Sequence, residues 1–282
     1  MNASLASSAD FASGKGHRDE NFPVASRLVA ARHRAPIMAF YRFARAADDI
    51  ADHPGAGEAE KLAGLEAMRA TILGQSDADA PSLALREAQA ARGIDRTHAL
   101  DLLEAFTRDV TIRRYPSWEA LIDYCRYSAM PVGRFVLDVH GEDRATWPLS
   151  DALCAALQVI NHLQDCGKDY RAIDRVYLPA DMLAAAGGRI EDLGGDRATP
   201  GLKAAIAEAA RRSQALLARS AGFAGAIRSR GLALEVAVIQ RLAESLAARL
   251  TRRDPLCERV HHGKAEALAL AASAAIGRML GR

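Results

Sequence analysis

The sequence predicts an all-α protein: a single-domain helical bundle around a central apolar cavity. Three observations point there. Half of the 282 residues are hydrophobic while only 5% are aromatic, with Ala and Leu abundant, which favours helices over an all-β core. Apolar residues recur at helical spacing through most of the chain, with no convincing strand or repeat. Two of the helical segments carry a narrow polar stripe on an otherwise apolar surface, as expected where helices enclose a cavity.

In chain order, residues 1–19 contain no apolar core segment and read as a flexible N-terminal arm, not a secretory signal. The domain proper spans residues 20–282. An entry segment, Glu20 to Ser26, precedes a short helix over residues 24–33. Pro36 opens the first acid-bearing helix, which Pro54 and Gly55 stop, and a polar-faced helix follows from Glu58 to Leu73. After a loop from Gly74 to Pro81, a helix runs from Ser82 to Ala91, and Asp95 caps another that reaches about Arg113. Ser117 caps a segment that Pro131 and Gly133 kink or break within the one domain. The central helix covers Leu149 to Asp169, Tyr170 to Pro179 is a charged turn, and Gly187 to Gly195 is a glycine-rich loop. Three helices complete the chain: Leu202 to Arg228, Leu232 to Arg252 and Lys264 to Leu280.

The charge is near balance at +2, so nucleic-acid binding has no electrostatic support. Cys125, Cys154, Cys166 and Cys257 form no CxxC pair and read as reduced thiols of a cytoplasmic protein. The longest apolar run, near the C-terminus, falls short of the roughly 20 residues a spanning helix needs. An amphipathic face would still suffice for peripheral contact with a membrane.

The two stripes carry the chemistry. At about 100° per residue, Gln158, Asn161, Asp165 and Asp169 share one arc of the central helix. Carboxylates four residues apart repel by roughly 0.2–0.5 kcal/mol, and burying them unpaired costs more, so a cation is expected beside them. On the earlier helix Tyr41, Arg45, Asp48 and Asp52 share a face, with Asp49 at its flank. Those acids stand in the last turn, where the helix dipole disfavours negative charge by about 0.3–1 kcal/mol. Magnesium prefers oxygen ligands and binds through one or two carboxylates plus substrate phosphates, so two such pairs fit a cluster that grips a diphosphate. Arg45 either contacts that diphosphate or forms a helical salt bridge to Asp48 or Asp49. Tyr127 is either a π-rich contact for a carbocation or ordinary core. His53, His140 and His162 lack ligand spacing and read as structural or exposed, and a single Glu-x-x-His, Glu258 to His261, falls short of the two a di-iron bundle uses.

At these residues the chain resembles the squalene and phytoene synthase family. The matching pieces are DDIAD (Asp48 to Asp52), YCRYSAMPVG (Tyr124 to Gly133), QVINHLQDCGKD (Gln158 to Asp169) and RVYLP (Arg175 to Pro179). The resemblance implies an isoprenoid synthase fold, with Asp48, Asp52, Asp165, Asp169 and Asn161 as magnesium ligands. It also implies Tyr41, Arg45, Tyr127 and Gln158 as lining of the substrate cavity. Lys168 and Arg175 are added as candidates for the diphosphate. Gln164 stands where family members that condense two prenyl diphosphates commonly carry Arg, and Lys168 where they carry an acid. With the entry segment and Pro131, these departures resemble the bacterial hydroxysqualene synthase branch of the hopanoid pathway. That branch ionises presqualene diphosphate, rearranges the cation and lets water capture it. The alternatives are a synthase that condenses two prenyl diphosphates, and a non-catalytic protein that binds polyprenyl lipids or a neighbouring isoprenoid enzyme.

Overall fold

The computed structural model describes residues 8–11 and 29–279. The expected arm over residues 1–19 falls largely outside this range, and the entry segment Glu20 to Ser26 wholly so. Among the described residues the all-α class holds. The α-helices are α1 (Ala31–Asp52), α2 (Glu58–Leu73), α3 (Ala80–Ala90), α4 (Thr97–Thr111), α5 (Trp118–Ser128), α6 (Met130–His140), α7 (Trp147–Ile173), α8 (Ala180–Ala185), α9 (Pro200–Arg219), α10 (Phe223–Ala226), α11 (Arg230–Leu250) and α12 (Lys264–Met279). Among the described residues, extended pairing is limited to one isolated parallel bridge between Arg114 and Val176.

The described residues form two compact units. One holds those up to Ile112 with Pro131–Arg144, and the other holds Arg113–Met130 with those from Ala145 on. In the first, α1 packs against α2, α3 and α4. Its core is built from Phe40, Phe43, Ile50, Leu65, Met68, Leu102 and Phe135, with the Phe40 and Phe135 rings stacked at 4.1 Å. In the second, α7 packs on α9, and α11 packs on α7, α9 and α12.

Pro36 does not open a helix; it lies inside α1, which starts at Ala31, while the expected short helix over residues 24–33 lies largely outside the described residues. Proline here leaves the Arg32 carbonyl without its helical donor, and the Arg92 guanidinium donates to that oxygen instead. The break before Pro131 does occur: α5 ends at Ser128, and the chain passes from the second unit to the first as α6 begins. Ser117 caps α5 as expected, accepting from the Ala120 N–H at 3.2 Å. The central helix is longer than the polar stripe suggested, because it begins at Trp147–Pro148 and runs into the expected turn, where Asp174, at φ 52°, closes it. The expected Leu202 to Arg228 helix divides in two. Ser220 bonds back to the Leu217 carbonyl and across to Gln240, ending α9 before α10 begins.

The first unit also contains a pH-sensitive contact. His33 and His140 are ring neighbours at 4.3 Å. Arg32 Nε donates to His33 Nε2 at 3.0 Å, while His140 Nδ1 donates to the Val136 carbonyl at 2.8 Å. Burial first, and then His140, Arg32 and Arg92, hold His33 below its usual 6.5. Burial also lowers His140, against the pull of Glu142. Both rings therefore take up protons more readily in the unfolded chain, so this contribution to stability is present above 6.5 and is lost as pH falls below it. The melting temperature is expected to drop on going from about pH 7 to about pH 5, and to drop less in His140→Gln. Scanning fluorimetry of both proteins at the two pH values measures the difference.

Candidate active site

The first acid stripe is set by the end of α1. Phe40, Phe43, Ala47, Ile50 and Ala51 are buried and fix the rotation of the helix, leaving Tyr41, Arg45, Asp48 and Asp52 half-buried on one face. No basic residue occupies the last turn, so the dipole offers these acids no relief. Arg45 supplies it locally, with Nη1 2.7 Å from Asp48 Oδ2 and Nη2 2.5 Å from Asp49 Oδ1. The salt-bridge alternative for Arg45 is thus present, and it engages both acids. Asp49 is buried beneath the stripe.

Sequence reasoning missed Asp109 on α4. It is 7% exposed, and its charge acts on Asp48 together with those of Asp52 and Asp49. Its signal was available: Leu102, Ala105 and Asp109 fall at helical spacing, so an acid sits on the buried stripe of α4. Burial, followed by Asp52, pushes the Asp48 carboxyl up to about 7 despite the opposing pull of Arg45. The Asp48 side chain is itself 36% exposed, and the protein around it removes part of its hydration. Several acids meet there around one guanidinium, an arrangement that favours an added cation.

The second stripe lies on α7. Gln158, Asn161, His162, Asp165 and Asp169 are half-buried, whereas Val159, Ile160, Leu163, Gln164, Cys166 and Gly167 are buried around them. Lys168 is exposed, and Arg175 is buried at 7% exposure just beyond the helix. Tyr127 on α5 is half-buried. Gln164 does not join the stripe: its Nε2 donates to the Val260 carbonyl, and both residues are buried.

His162 is neither exposed nor a bystander. Its ring stacks on Tyr177 with centroids 3.4 Å apart and planes at 14°, and Tyr115 and Tyr124 pack against the same tyrosine. Burial and then the Arg175 charge press its pKa down to about 3, so the imidazole is neutral. The sequence signal was the tyrosine in RVYLP, which follows the stripe in the chain and returns to it.

Among the described residues no three His, Cys, Asp or Glu side chains form a ready-made metal cage. The residues nevertheless fit magnesium, which binds through one or two carboxylates and completes its shell with substrate oxygens and water. The crowded, partly desolvated acids around Asp48 are the observation that favours such an ion. The four cysteines are free, as expected of reduced thiols. Among the described residues no helix is long and apolar enough to cross a membrane.

The family model for squalene/phytoene synthase matches residues 16–266. The chain belongs to the squalene/phytoene synthase family. It is 57% identical over 273 residues to a hydroxysqualene synthase of Zymomonas mobilis subsp. mobilis, covering 96% of this chain and 92% of that protein. It is 52% identical over 257 residues to a hydroxysqualene synthase of Rhodopseudomonas palustris, covering 91% and 88%. A crystal structure of a squalene synthase from Alicyclobacillus acidocaldarius superposes with a TM-score of 0.72 at 34% identity, covering 81% of this chain and 87% of that one. Both acid stripes and the RVYLP segment fall within the region matched to the squalene/phytoene synthase family.

Proposed function

We propose that this enzyme is a magnesium-dependent hydroxysqualene synthase of the hopanoid pathway, converting presqualene diphosphate and water to hydroxysqualene and diphosphate. The observation that carries the reading is the 57% identity, along 96% of the chain, to a protein of that name. Gln164 adds support, because its side chain is committed to Val260 and does not extend the set of diphosphate-binding cations.

Asp48 and Asp52 on α1, and Asn161, Asp165 and Asp169 on α7, would hold magnesium. Magnesium bound there would neutralise the diphosphate and ease its departure as a leaving group. Arg45, pinned between Asp48 and Asp49, presents a guanidinium of fixed orientation to an anionic oxygen. Tyr41 and Gln158 are assigned to the substrate, Lys168 and Arg175 to its diphosphate, and Tyr127 to the carbocation through its ring. The reading places the enzyme in the cytoplasm with peripheral membrane contact for its lipophilic product, beside neighbouring isoprenoid enzymes. Exposed Leu268 and Ile276 on α12, at 71% and 57%, support such contact.

Presqualene diphosphate with magnesium and no reductant is expected to yield hydroxysqualene, identified by mass spectrometry, and chelation of magnesium is expected to stop the reaction. Squalene as the product would refute the reading. Consumption of farnesyl diphosphate supplied alone would identify a condensing synthase instead.

A further inference from the structure

Within the second unit a chain of contacts ends on the α7 stripe. The buried Arg175 guanidinium donates to the Tyr177 hydroxyl at 3.4 Å. Tyr177 stacks on His162, and His162 Nε2 lies 3.0 Å from Gln158 Nε2. An amide NH2 has only protons to offer, so it donates and the imidazole nitrogen accepts. Gln158 makes no other hydrogen bond among the described residues. With Nε2 committed, the Gln158 carboxamide is left with Oε1 as a fixed acceptor on the helix face that also carries Asn161 and Asp165.

Resting on the function proposed above, we infer that His162 is a positioning residue: by accepting from Gln158 Nε2 it holds Gln158 Oε1 toward the water that captures the carbocation. The substrate carbon–oxygen bond breaks with its electron pair staying on diphosphate. A lone pair of the water then forms the new carbon–oxygen bond. The water, which donates one hydrogen bond to Gln158 Oε1, loses a proton to the departed diphosphate. An amide oxygen suits this task because it orients water without being basic enough to strip a C–H proton from the cation. The same hydrogen bond occupies the lone pair of His162 Nε2 and so suppresses elimination to a hydrocarbon.

Three variants of the full chain test the inference with presqualene diphosphate and magnesium. Product ratio is read by mass spectrometry and diphosphate release in parallel. His162→Phe keeps a ring on Tyr177 and removes the acceptor; the alcohol-to-hydrocarbon ratio is expected to fall about tenfold, as for loss of one hydrogen bond in the capture step, with a smaller fall in diphosphate release. His162→Gln, whose Oε1 can accept in place of the ring nitrogen, is expected to restore most of the ratio. Gln158→Met leaves His162 and its stack in place and covers the case in which His162→Phe fails to fold; it too is expected to lower the ratio. An unchanged ratio in a folded His162→Phe or in Gln158→Met overturns the inference, as does His162→Gln behaving like the phenylalanine variant. Wild-type protein that makes no hydroxysqualene overturns the functional reading and this inference with it. A wild type that makes hydroxysqualene, with variants of unchanged ratio, overturns the inference alone.

Discussion

Asp165→Ala is expected to lower kcat on presqualene diphosphate by about a thousandfold, on the order of 4 kcal/mol of transition-state stabilisation, while leaving the protein folded. The two halves of that result have separate physical origins. Asp165 is half-buried on a helix whose rotation is held by its buried neighbours Leu163, Gln164 and Cys166, so truncation opens no hole in the core. Alanine is the strongest helix former, and its introduction removes a carboxylate repulsion with Asp169 of roughly 0.2–0.5 kcal/mol. The melting temperature should therefore hold or rise slightly. Turnover should fall because, in the function proposed above, the acid would help to bind the ion that receives the leaving group. Diphosphate release and scanning fluorimetry on the same preparation measure both, and turnover within about tenfold of wild type would remove Asp165 from the assignment.

Gly201→Ala is expected to lower stability by about 2 kcal/mol, a fall in melting temperature of about 5 °C for a chain of this size. On propensity alone the sign would be opposite, since alanine is favoured over glycine in a helix by about 0.8–1.0 kcal/mol. Packing decides the outcome. A Cβ at Gly201, in the first turn of α9, would lie 2.6 Å from the Gly188 nitrogen and 2.7 Å from the Gly187 carbonyl carbon. These are main-chain atoms, and no side-chain rotation can relieve the clash. Gly188 meets the same obstacle from the other side, with Gly201 and Leu202 main-chain atoms at 3.0 Å. The loop Gly187 to Gly195 thus docks directly on the start of α9. Thermal melts of Gly201→Ala and Gly188→Ala check this, and an unchanged or raised melting temperature would show that the loop can move aside.

Much of this architecture was legible because periodicity reports burial. The half-buried stripe of α7 among buried Val159, Ile160 and Leu163 follows the spacing of its polar residues, and α2 keeps the bounds Glu58–Leu73 read from its pattern. What escaped were features made by residues far apart in the chain. Pro36 signals a helix start, and nothing local reveals that Arg92 satisfies the carbonyl it orphans. Asp109 looks like one acid among many until α4 places it near Asp48. His162 carries no ligand spacing, and its role depends on Tyr177 returning to α7 beyond the helix end. The grouping of α6 with the first unit and α5 with the second is likewise invisible in a local helical pattern.

Gln164 shows how the residue that the resemblance sets against an arginine of condensing synthases would be locked in. Its amide is spent on the Val260 carbonyl, in the connection between α11 and α12. An arginine placed there would have to reach toward the stripe, leave that carbonyl without its donor, and find space among buried neighbours. Converting this protein into a condensing synthase by exchanging that one position should therefore fail, and directed evolution toward that activity would have to remodel the connection after α11 at the same time.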